Sequence, residues 1–371
     1  MNQRHRLSRR NVLLGAGGAL AGAGLLRPFA ARAEDLTIGF IYVGSKDDFG
    51  YNQSHAEGAA ALKAMPGVKI VEEERVPESD DVEKTMQSMI ELDGAPLLFP
   101  TSYGYFDPYV LKMAAKYPHV QFRHCGGLWT AKDPMNSGSY FGYIGQGQYL
   151  NGVVAGHMTK TKKLGFVAAK PIPQVLININ SFALGARSVD PSITVQVIFT
   201  GDWSMPVKEA EATNALADQG IDVVTCHVDG PKVVVQTAEG RGIYTCGYHA
   251  DQSSLAPKGY LTGAEWNWAK VYTDFVTEMQ AGKPLPNFVR GGLADGFVKM
   301  SAYGPAVTPA ARANADSVKA EMMKGGYSVF HGPLSDNKGN QVIPAGKTYP
   351  ETAVELESMS YLVDGVLGST S

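Results

Sequence analysis

The chain has 371 residues, of which 33 are basic, 36 are acidic and only three are cysteine, and its formal net charge is −3. All six charged side chains of residues 1–33 are arginines, so the rest of the chain carries a net charge of −9. An acidic surface of this kind argues against nucleic acid or anionic lipid as a partner. The 338 residues that follow are enough for two domains, each with its own core.

Residues 1–33 have the layout of an export signal. Four arginines begin the segment, an uncharged run covers 11–26, and Ala31-Arg32-Ala33 offers the small residues that a signal peptidase needs. The run is too short to span a membrane comfortably. Ser8-Arg9-Arg10 resembles the twin-arginine type of signal, and an ordinary secretion signal is the alternative. Since no cysteine lies near the cleavage site, we expect a soluble periplasmic protein without a lipid anchor that begins at Glu34.

Beyond the signal, apolar runs alternate with helical patterns at the spacing of βα units. The predicted strands are 36–43, 69–71, 96–99, 120–123, 164–168, 195–199, 223–226, 243–246 and 259–263. The predicted helices are 53–65, 80–92, 107–117, 148–159, 206–219 and 266–280, and further helices are expected between the strands from 164–168 to 243–246. This order predicts an α/β protein with two Rossmann-like lobes that contain parallel sheets. We place the lobes at 34–147 and 148–275, and expect 276–371 to cross a hinge and complete both.

The carboxyl ends of parallel strands are where an open α/β sheet binds its ligand. Five loops that follow predicted strands are short, polar and aromatic: 44–52, 100–105, 200–203, 227–230 and 247–251. Such loops offer flat apolar faces and a few directional polar groups. They suit a planar polar ligand.

No catalytic motif stands out in the sequence. It lacks a nucleophile elbow, a His-Glu-x-x-His helix and a phosphate loop outside the signal, so we expect a binding protein without enzymatic activity or a cofactor. A metal cluster of His55, His227 and His249 is a minor alternative, because the neighbouring Cys and Asp lack ligand spacing. The cysteines indicate buried thiols, and a bridge between Cys226 and Cys246 is the alternative.

Several stretches at these loops follow one another in a characteristic order. They are Ile38-Gly39-Phe40, Phe49-Gly50-Tyr51, Thr101-Ser102-Tyr103-Gly104-Tyr105, Tyr149-Leu150-Asn151-Gly152, Gly165-Phe166-Val167, Gly201-Asp202-Trp203, His227-Val228-Asp229 and Gly247-Tyr248-His249-Ala250-Asp251. Together they resemble the basic membrane protein family of transporter-associated binding proteins, whose better-known members bind purine nucleosides or bases. The resemblance covers nearly the whole chain after the signal. It implies a type I periplasmic-binding-protein fold, a monomer, a small-molecule ligand and the membrane permease of an ABC transporter as partner.

The resemblance also implies which aromatic residues contact the ligand. Tyr51 and Trp203 are the stacking candidates, one from each lobe, and Tyr103 lines the same slot. Each of the first two has a structural alternative. Tyr51 could staple the start of its helix, and Trp203 could pack in the core between a strand and a helix.

The hydrogen-bonding candidates implied by the resemblance are two acids with two supporting residues. Asp229 and Asp251 would hold the polar edge of a purine, and Asn52 and Ser102 would assist. The structural alternatives are that Asp229 caps the helix that follows it and that Asp251 caps a turn.

One departure from the family bears on the ligand. Many members carry a lysine that reaches a ribose hydroxyl, whereas this chain has Glu265 and Trp266 in the aligned segment. Glutamate offers only acceptors and tryptophan adds bulk, so we expect Trp266 in the site and a preference for a free purine base, adenine first, over its nucleoside. A sugar-binding protein of the same fold is the main alternative. A transcriptional regulator and a secreted hydrolase are further ones.

Overall fold

The computed structural model describes residues 35–370, so the predicted export signal and the predicted start at Glu34 lie outside the described residues. The strands are β1 (Leu36–Ile41), β2 (Val68–Glu73), β3 (Leu97–Pro100), β4 (Gln121–Cys125), β5 (Ser137–Gly142), β6 (Lys163–Ala168), β7 (Thr194–Phe199), β8 (Val223–His227), β9 (Tyr244–His249), β10 (Tyr260–Trp266), β11 (Phe288–Gly291), β12 (Val298–Met300), β13 (Phe330–His331), β14 (Leu334–Ser335), β15 (Gln341–Ile343), β16 (Thr348–Tyr349) and β17 (Val366–Leu367). The helices are α1 (Tyr51–Leu62), α2 (Asp80–Glu91), α3 (Leu111–Lys116), α4 (Gly145–Met158), α5 (Pro173–Val189), α6 (Pro206–Asp218), α7 (Lys232–Arg241), α8 (Trp268–Gln280), α9 (Pro309–Met323) and α10 (Val354–Glu357).

The first sheet has six strands in the order β2-β1-β3-β4-β5-β11, and all of its pairings are parallel. Its central strands β1 and β3 are short apolar runs, almost completely buried, as expected when helices cover both faces of a sheet. Helix α2 packs one apolar face inward, with Val82, Met86 and Met89 buried. The hydroxyl of Ser79 accepts a hydrogen bond from a backbone amide of the first turn and caps the helix.

The second sheet repeats this arrangement with seven strands in the order β17-β7-β6-β8-β9-β10-β12. All of its pairings are parallel except that of β12 with β10. In both sheets the first strand of the unit lies between the second and the third, the strand order of a doubly wound α/β unit. The predicted α/β fold of two lobes with parallel sheets is confirmed. We call the first sheet with its helices the first lobe and the second sheet with its helices the second lobe.

The chain crosses between the lobes several times. It passes from β5 to α4, then from β10 back to α8, and finally β11 joins the first sheet before β12 joins the second. Helix α8 lies mostly within the range predicted for the second lobe, but it packs on the first. The ring of Tyr272 lies with its centroid 4.9 Å from that of Phe40 and 4.5 Å from that of Phe99.

Strand β5 has no counterpart in the sequence prediction, and helices α5 and α7 lie between predicted strands, where helices were expected without bounds. No elements were predicted in the region that holds β11 to β17, α9 and α10. The predicted helix 107–117 is also different, because Asp107 has an extended backbone and the regular helix α3 begins only at Leu111. All three cysteines are buried and free. None of the helices within residues 35–370 is both long enough and apolar enough to cross a membrane.

Candidate functional site

A cavity of about 410 Å³ lies between the carboxyl ends of the strands of the two lobes. This volume is in the range typical of small-molecule sites. Six of the eight predicted site residues line it: Tyr51, Ser102, Tyr103, Trp203, Asp229 and Trp266. Its lining is mainly apolar and aromatic, with a few polar groups contributed by both lobes.

The two lobes touch at one edge of this cavity. The backbone amide of Tyr51 in the first lobe donates a 2.8 Å hydrogen bond to the carbonyl of Asp229 in the second. Nearby, the side-chain amide of Gln252 donates to the carbonyl of Phe49 at 2.6 Å. Gly50 allows this approach, because a Cβ atom there would overlap the carbonyl oxygen of Asp229. The lobes are therefore closed on each other.

The wall from the first lobe offers polar groups that are already paired. The Tyr51 hydroxyl donates to the carbonyl of Thr101 at 2.6 Å, which fixes the ring at the start of α1. The Ser102 hydroxyl donates to Glu78 at 2.6 Å. Tyr103 stands at the mouth of the cavity with 59% of its surface exposed. This wall presents ring faces and edges with few free hydrogen-bonding groups.

The wall from the second lobe contains Trp203 in the loop after β7. Its backbone amide donates to Asp202, and its carbonyl accepts from the amide of Asp229 at 2.8 Å. The ammonium of Lys170 lies 5.7 Å from its ring centroid, within the range of a cation–π contact. These contacts hold a half-buried indole at the cavity beside the ring of His227, whose centroid is 6.0 Å away.

Asp229 differs from the other polar groups of this wall in its hydrogen bonding. Within residues 35–370 its carboxyl oxygens have no hydrogen-bond partner, although its backbone is bonded on both sides. Burial raises the pKa of Asp229 from 3.8 to about 8, and the negative charges of Asp48 and Glu78 add to the increase. The half-buried carboxyl is therefore shifted towards its neutral form, which can both donate and accept a hydrogen bond.

Trp266 forms the floor of the cavity as part of an aromatic stack that joins the lobes. Its ring is stacked on Trp268 with centroids 4.7 Å apart, and Trp268 is stacked on His55 at 5.1 Å. On its other side, the indole N–H donates to Nδ1 of His249 at 2.8 Å. Gly142 makes room for the ring, since a Cβ atom there would lie 2.6 Å from it. Trp266 is thus held rigidly in place.

The histidines of the site are neutral. Burial lowers the pKa of His227 to about 3, and it lowers the pKa values of His55 and His249 well below 6.5. His227 and His249 line the cavity, while His55 lies beneath it. In the described part of the chain no three His, Cys, Asp or Glu side chains are placed to hold a metal ion.

In the structure, two predicted site residues form hydrogen bonds within their own loops. Asn52 is buried beside the cavity, where its carbonyl accepts from the amide of Gly44 and its amide donates to Asp48, so it shapes the loop before α1. Asp251 is exposed and accepts from the amide of Ser253, the turn cap that was the alternative for it. Neither lines the cavity, which corrects their predicted contact with the ligand.

Glu265 was predicted to affect the choice of ligand, but it does not line the cavity. It points away from the cavity, where its carboxylate pairs with Lys299 at 3.0 Å and accepts from the hydroxyl of Ser301. Side chains alternate across a strand, so its neighbour Trp266 is the residue of β10 that reaches the cavity.

Several cavity residues were missed by the sequence reasoning. They are Glu78, Phe141, Asn178, Arg290, Glu351 and Glu357, among others. Phe141 lies on strand β5, which the hydrophobic pattern of the sequence does not indicate. Asn178 lies on α5, where a buried Asn among apolar residues was the available signal; its amide donates to His227 at 2.8 Å and to Tyr248 at 2.9 Å.

Two lobes of repeated strand order around one cavity are a fold that occurs in solute-binding proteins of ABC transporters. A solved ABC-transporter solute-binding protein from Conexibacter woesei has this fold, with a TM-score of 0.68 and 22% identity over 79% of this chain and 97% of that one. The family follows from the sequence match. The chain belongs to the Bmp family, described as ABC transporter substrate-binding protein PnrA-like, whose model matches residues 36–328.

Two curated relatives are similar over nearly the full chain. A purine-binding protein of Brucella abortus is 34% identical over 93% of this chain and 97% of its own length. A putative ABC transporter glucose-binding protein of Haloferax volcanii is 28% identical over 91% of this chain and 82% of its own length. This protein is accordingly a substrate-binding component of an ABC transporter, a role that implies a small-molecule ligand and a membrane permease.

Proposed function

We propose that this protein binds a free purine base, with adenine preferred, in the cavity between its lobes and delivers it to the permease. The observation that carries the proposal is the unpaired carboxyl of Asp229 in a cavity walled by Tyr51 and Trp203. An aromatic slot with one directional acid suits a flat heterocycle that has hydrogen-bonding groups on its edge. The 34% identity to a purine-binding protein supports the same ligand class.

The chemistry of Asp229 fits the edge of adenine. The 6-amino group donates, and the ring nitrogens on either side of it accept. A neutral carboxyl can accept from that amino group and donate to an adjacent ring nitrogen, forming two parallel hydrogen bonds. An ionised carboxyl would accept from two N–H groups instead. Either state pairs a half-buried acid that has no other partner within residues 35–370, and such a hydrogen bond typically contributes about 0.5–1.5 kcal/mol, or about 1.5–3 kcal/mol when the acid is charged.

The preference for the base over the nucleoside rests on Trp266. Its ring is buried, stacked on Trp268 and packed against Gly142, so it cannot move aside without losing these contacts. A ribose attached to the base needs additional room and hydroxyl partners in the same cavity. No lysine lines the cavity within the described residues. Glu265 plays no part in this argument, because it faces away from the site.

The rival ligand is a hexose. Aromatic rings and carboxylates also recognise sugars, and the relative from Haloferax volcanii carries the name of a putative glucose-binding protein. A hexose presents hydroxyl groups all around its ring and requires several hydrogen-bond partners. The first-lobe wall has its polar groups paired internally, which favours the heterocycle.

Calorimetric titration of the mature chain with adenine, adenosine, guanine, guanosine and D-glucose tests the proposal. Protein should first be unfolded and refolded to remove any ligand carried through purification, and that ligand identified by mass spectrometry. We expect the tightest binding for adenine. Binding of D-glucose with no response to any purine would reject the proposal, and adenosine binding as tightly as adenine would reject the preference for the base.

We further propose that the protein acts in the periplasm as a soluble monomer and is exported folded through the twin-arginine pathway. The support is the sequence of residues 1–33, with paired arginines before an uncharged run and no cysteine near the cleavage site. N-terminal sequencing of periplasmic protein should give Glu34 as the first residue. Replacing Arg9 and Arg10 by Lys should stop export, and unchanged export would favour the ordinary secretion signal.

A further inference from the structure

The cavity has a wall that comes from the end of the chain, beyond residues 36–328 that the family model matches. Glu351, Leu356 and Glu357 all line it. This terminal segment is anchored on the second lobe by Asn180 of α5. The amide of Asn180 donates to the carbonyl of Tyr361 at 2.9 Å, and its carbonyl accepts from a backbone amide two residues later. Strand β17 then pairs with β7. The wall is therefore a fixed part of the fold.

Glu351 in this wall is a half-buried acid whose two oxygens differ in exposure. Its Oε1 atom is inaccessible to solvent and has no hydrogen-bond partner in the described part of the chain. Burial raises the pKa of Glu351 to about 7, against a smaller lowering by a hydrogen bond from the backbone of Val329. Because Oε1 is covered by the protein, Oε2 is the accessible oxygen through which Glu351 can meet a ligand in the cavity.

Glu351 and Asp229 stand in different parts of the cavity. The groups that raise the pKa of Asp229 most, besides burial, are Asp48 and Glu78. Asp229 lies at the contact between the lobes, where its backbone bonds to Tyr51 and Trp203, whereas Glu351 accepts a hydrogen bond from the backbone of Val329 and lies near Tyr143. The cavity thus has two half-buried acids at separate positions.

We propose that Glu351 is the second acid of the binding site and accepts a hydrogen bond from an N–H or O–H group of the ligand remote from the group held by Asp229. The inference rests on the proposed function and sharpens it. Adenine carries N–H donors at both ends of its ring system, the 6-amino group and the imidazole N–H. One buried acid can pair with each. Glu351 thereby takes the position in recognition that the sequence had suggested for Asp251.

The test compares Glu351→Ala and Glu351→Gln with Glu355→Gln, a matched control on the exposed side of the same short helix region. Adenine affinity of Glu351→Ala should fall about tenfold to a hundredfold, because a buried hydrogen bond is lost. Glu351→Gln keeps an acceptor oxygen and should lose less. Glu355→Gln should bind as the unchanged chain does. Thermal melting without ligand should show that all three variants fold.

Two analogues distinguish a direct contact from a structural effect. 9-Methyladenine lacks the imidazole N–H, and unsubstituted purine lacks the amino group. The unchanged chain should bind both analogues more weakly than adenine. Because Glu351 pairs with the imidazole N–H, Glu351→Ala should no longer discriminate against 9-methyladenine. Adenine affinity unchanged by Glu351→Ala, or a loss that leaves both discriminations intact, would overturn the inference and leave the proposed function standing. Failure of the unchanged chain to bind any purine would overturn the proposed function, and the inference with it.

Discussion

The two walls of the cavity are built differently. In the first lobe the hydroxyls of Tyr51 and Ser102 are bonded to the carbonyl of Thr101 and to Glu78, so that wall is rigid and has few free polar groups. In the second lobe the carboxyl of Asp229 has no hydrogen-bond partner within residues 35–370. The difference teaches that the lobes contribute different parts of recognition. The first lobe supplies a preformed surface, the second supplies a directional group, and the site is complete only when they close.

The largest effect should come from blocking that closure. Gly50→Ala puts a Cβ atom into the carbonyl of Asp229 and removes the closed form, so we expect adenine affinity to fall about a hundredfold or more. Gly230→Ala is the matched control, because its Cβ atom would lie 3.7 Å from the nearest atom of the first lobe. Calorimetry measures both. Equal affinities of the two variants would show that closure does not depend on this contact.

Removing one stacking surface should have the next largest effect. Trp203→Ala should weaken adenine binding by about 1–3 kcal/mol, or roughly tenfold to a hundredfold. Tyr103→Ala at the exposed mouth of the cavity should lose less, because a ligand there stays in contact with water. If titration gave Tyr103→Ala the greater loss, the ligand would stack at the mouth and the second-lobe wall would not be the principal surface.

The unpaired acid should make stability depend on pH. The pKa of Asp229 is raised from 3.8 to about 8 in the folded chain, so between these values the folded state holds a proton that the unfolded state has released. The free energy of unfolding should therefore fall as pH rises through this window, relative to Asp229→Asn, by at most about 1.4 kcal/mol per pH unit. Opening of the cleft hydrates the carboxylate and reduces the slope.

Urea unfolding of both chains from pH 5 to pH 9 without ligand measures this difference. Parallel stability curves for the two chains would show that Asp229 is hydrated and ionised throughout, contrary to its burial between the lobes.

The smallest effect is expected at Asp251, the acid outside the cavity. Asp251→Ala removes a turn cap at an exposed position, so the free energy of unfolding should change by about 0.5 kcal/mol or less and adenine affinity should stay the same. A tenfold loss of affinity measured by calorimetry would return Asp251 to the site and contradict the assignment of the second acid to Glu351.

Sequence reasoning found the fold because its strands are short apolar runs at regular spacing. Strand β5 escaped it, because Ser137–Gly142 contains two serines and two glycines and is buried only through its neighbours in the sheet. Helix α5 was expected between two strands, but its bounds escaped the sequence analysis for another reason. Its residues are apolar nearly all round, with Asn178 and Asn180 buried among them, so it shows little of the one-sided pattern that marks a surface helix.

Part of the site was predicted from the sequence, and the residues for which prediction and structure differ have physical reasons. Strand β9 runs to His249, three residues further than expected, so Asp251 falls beyond the cavity in a turn. Asn52 was correctly located next to the site, but hydrogen bonds within its own loop use its side chain. Glu351 comes to the cavity from a segment more than eighty residues after β10, and no local pattern signals such a long-range approach.

The terminal wall has a consequence for how such a receptor can diversify. Glu351, Leu356 and Glu357 touch the cavity but belong to no strand of either sheet. Substitutions there can change the shape and charge of the cavity while the pairing of the sheets and the contact between Gly50 and Asp229 stay as they are. Substitutions in this terminal segment can therefore change which ligand is bound, while the closure of the two lobes on the ligand stays the same.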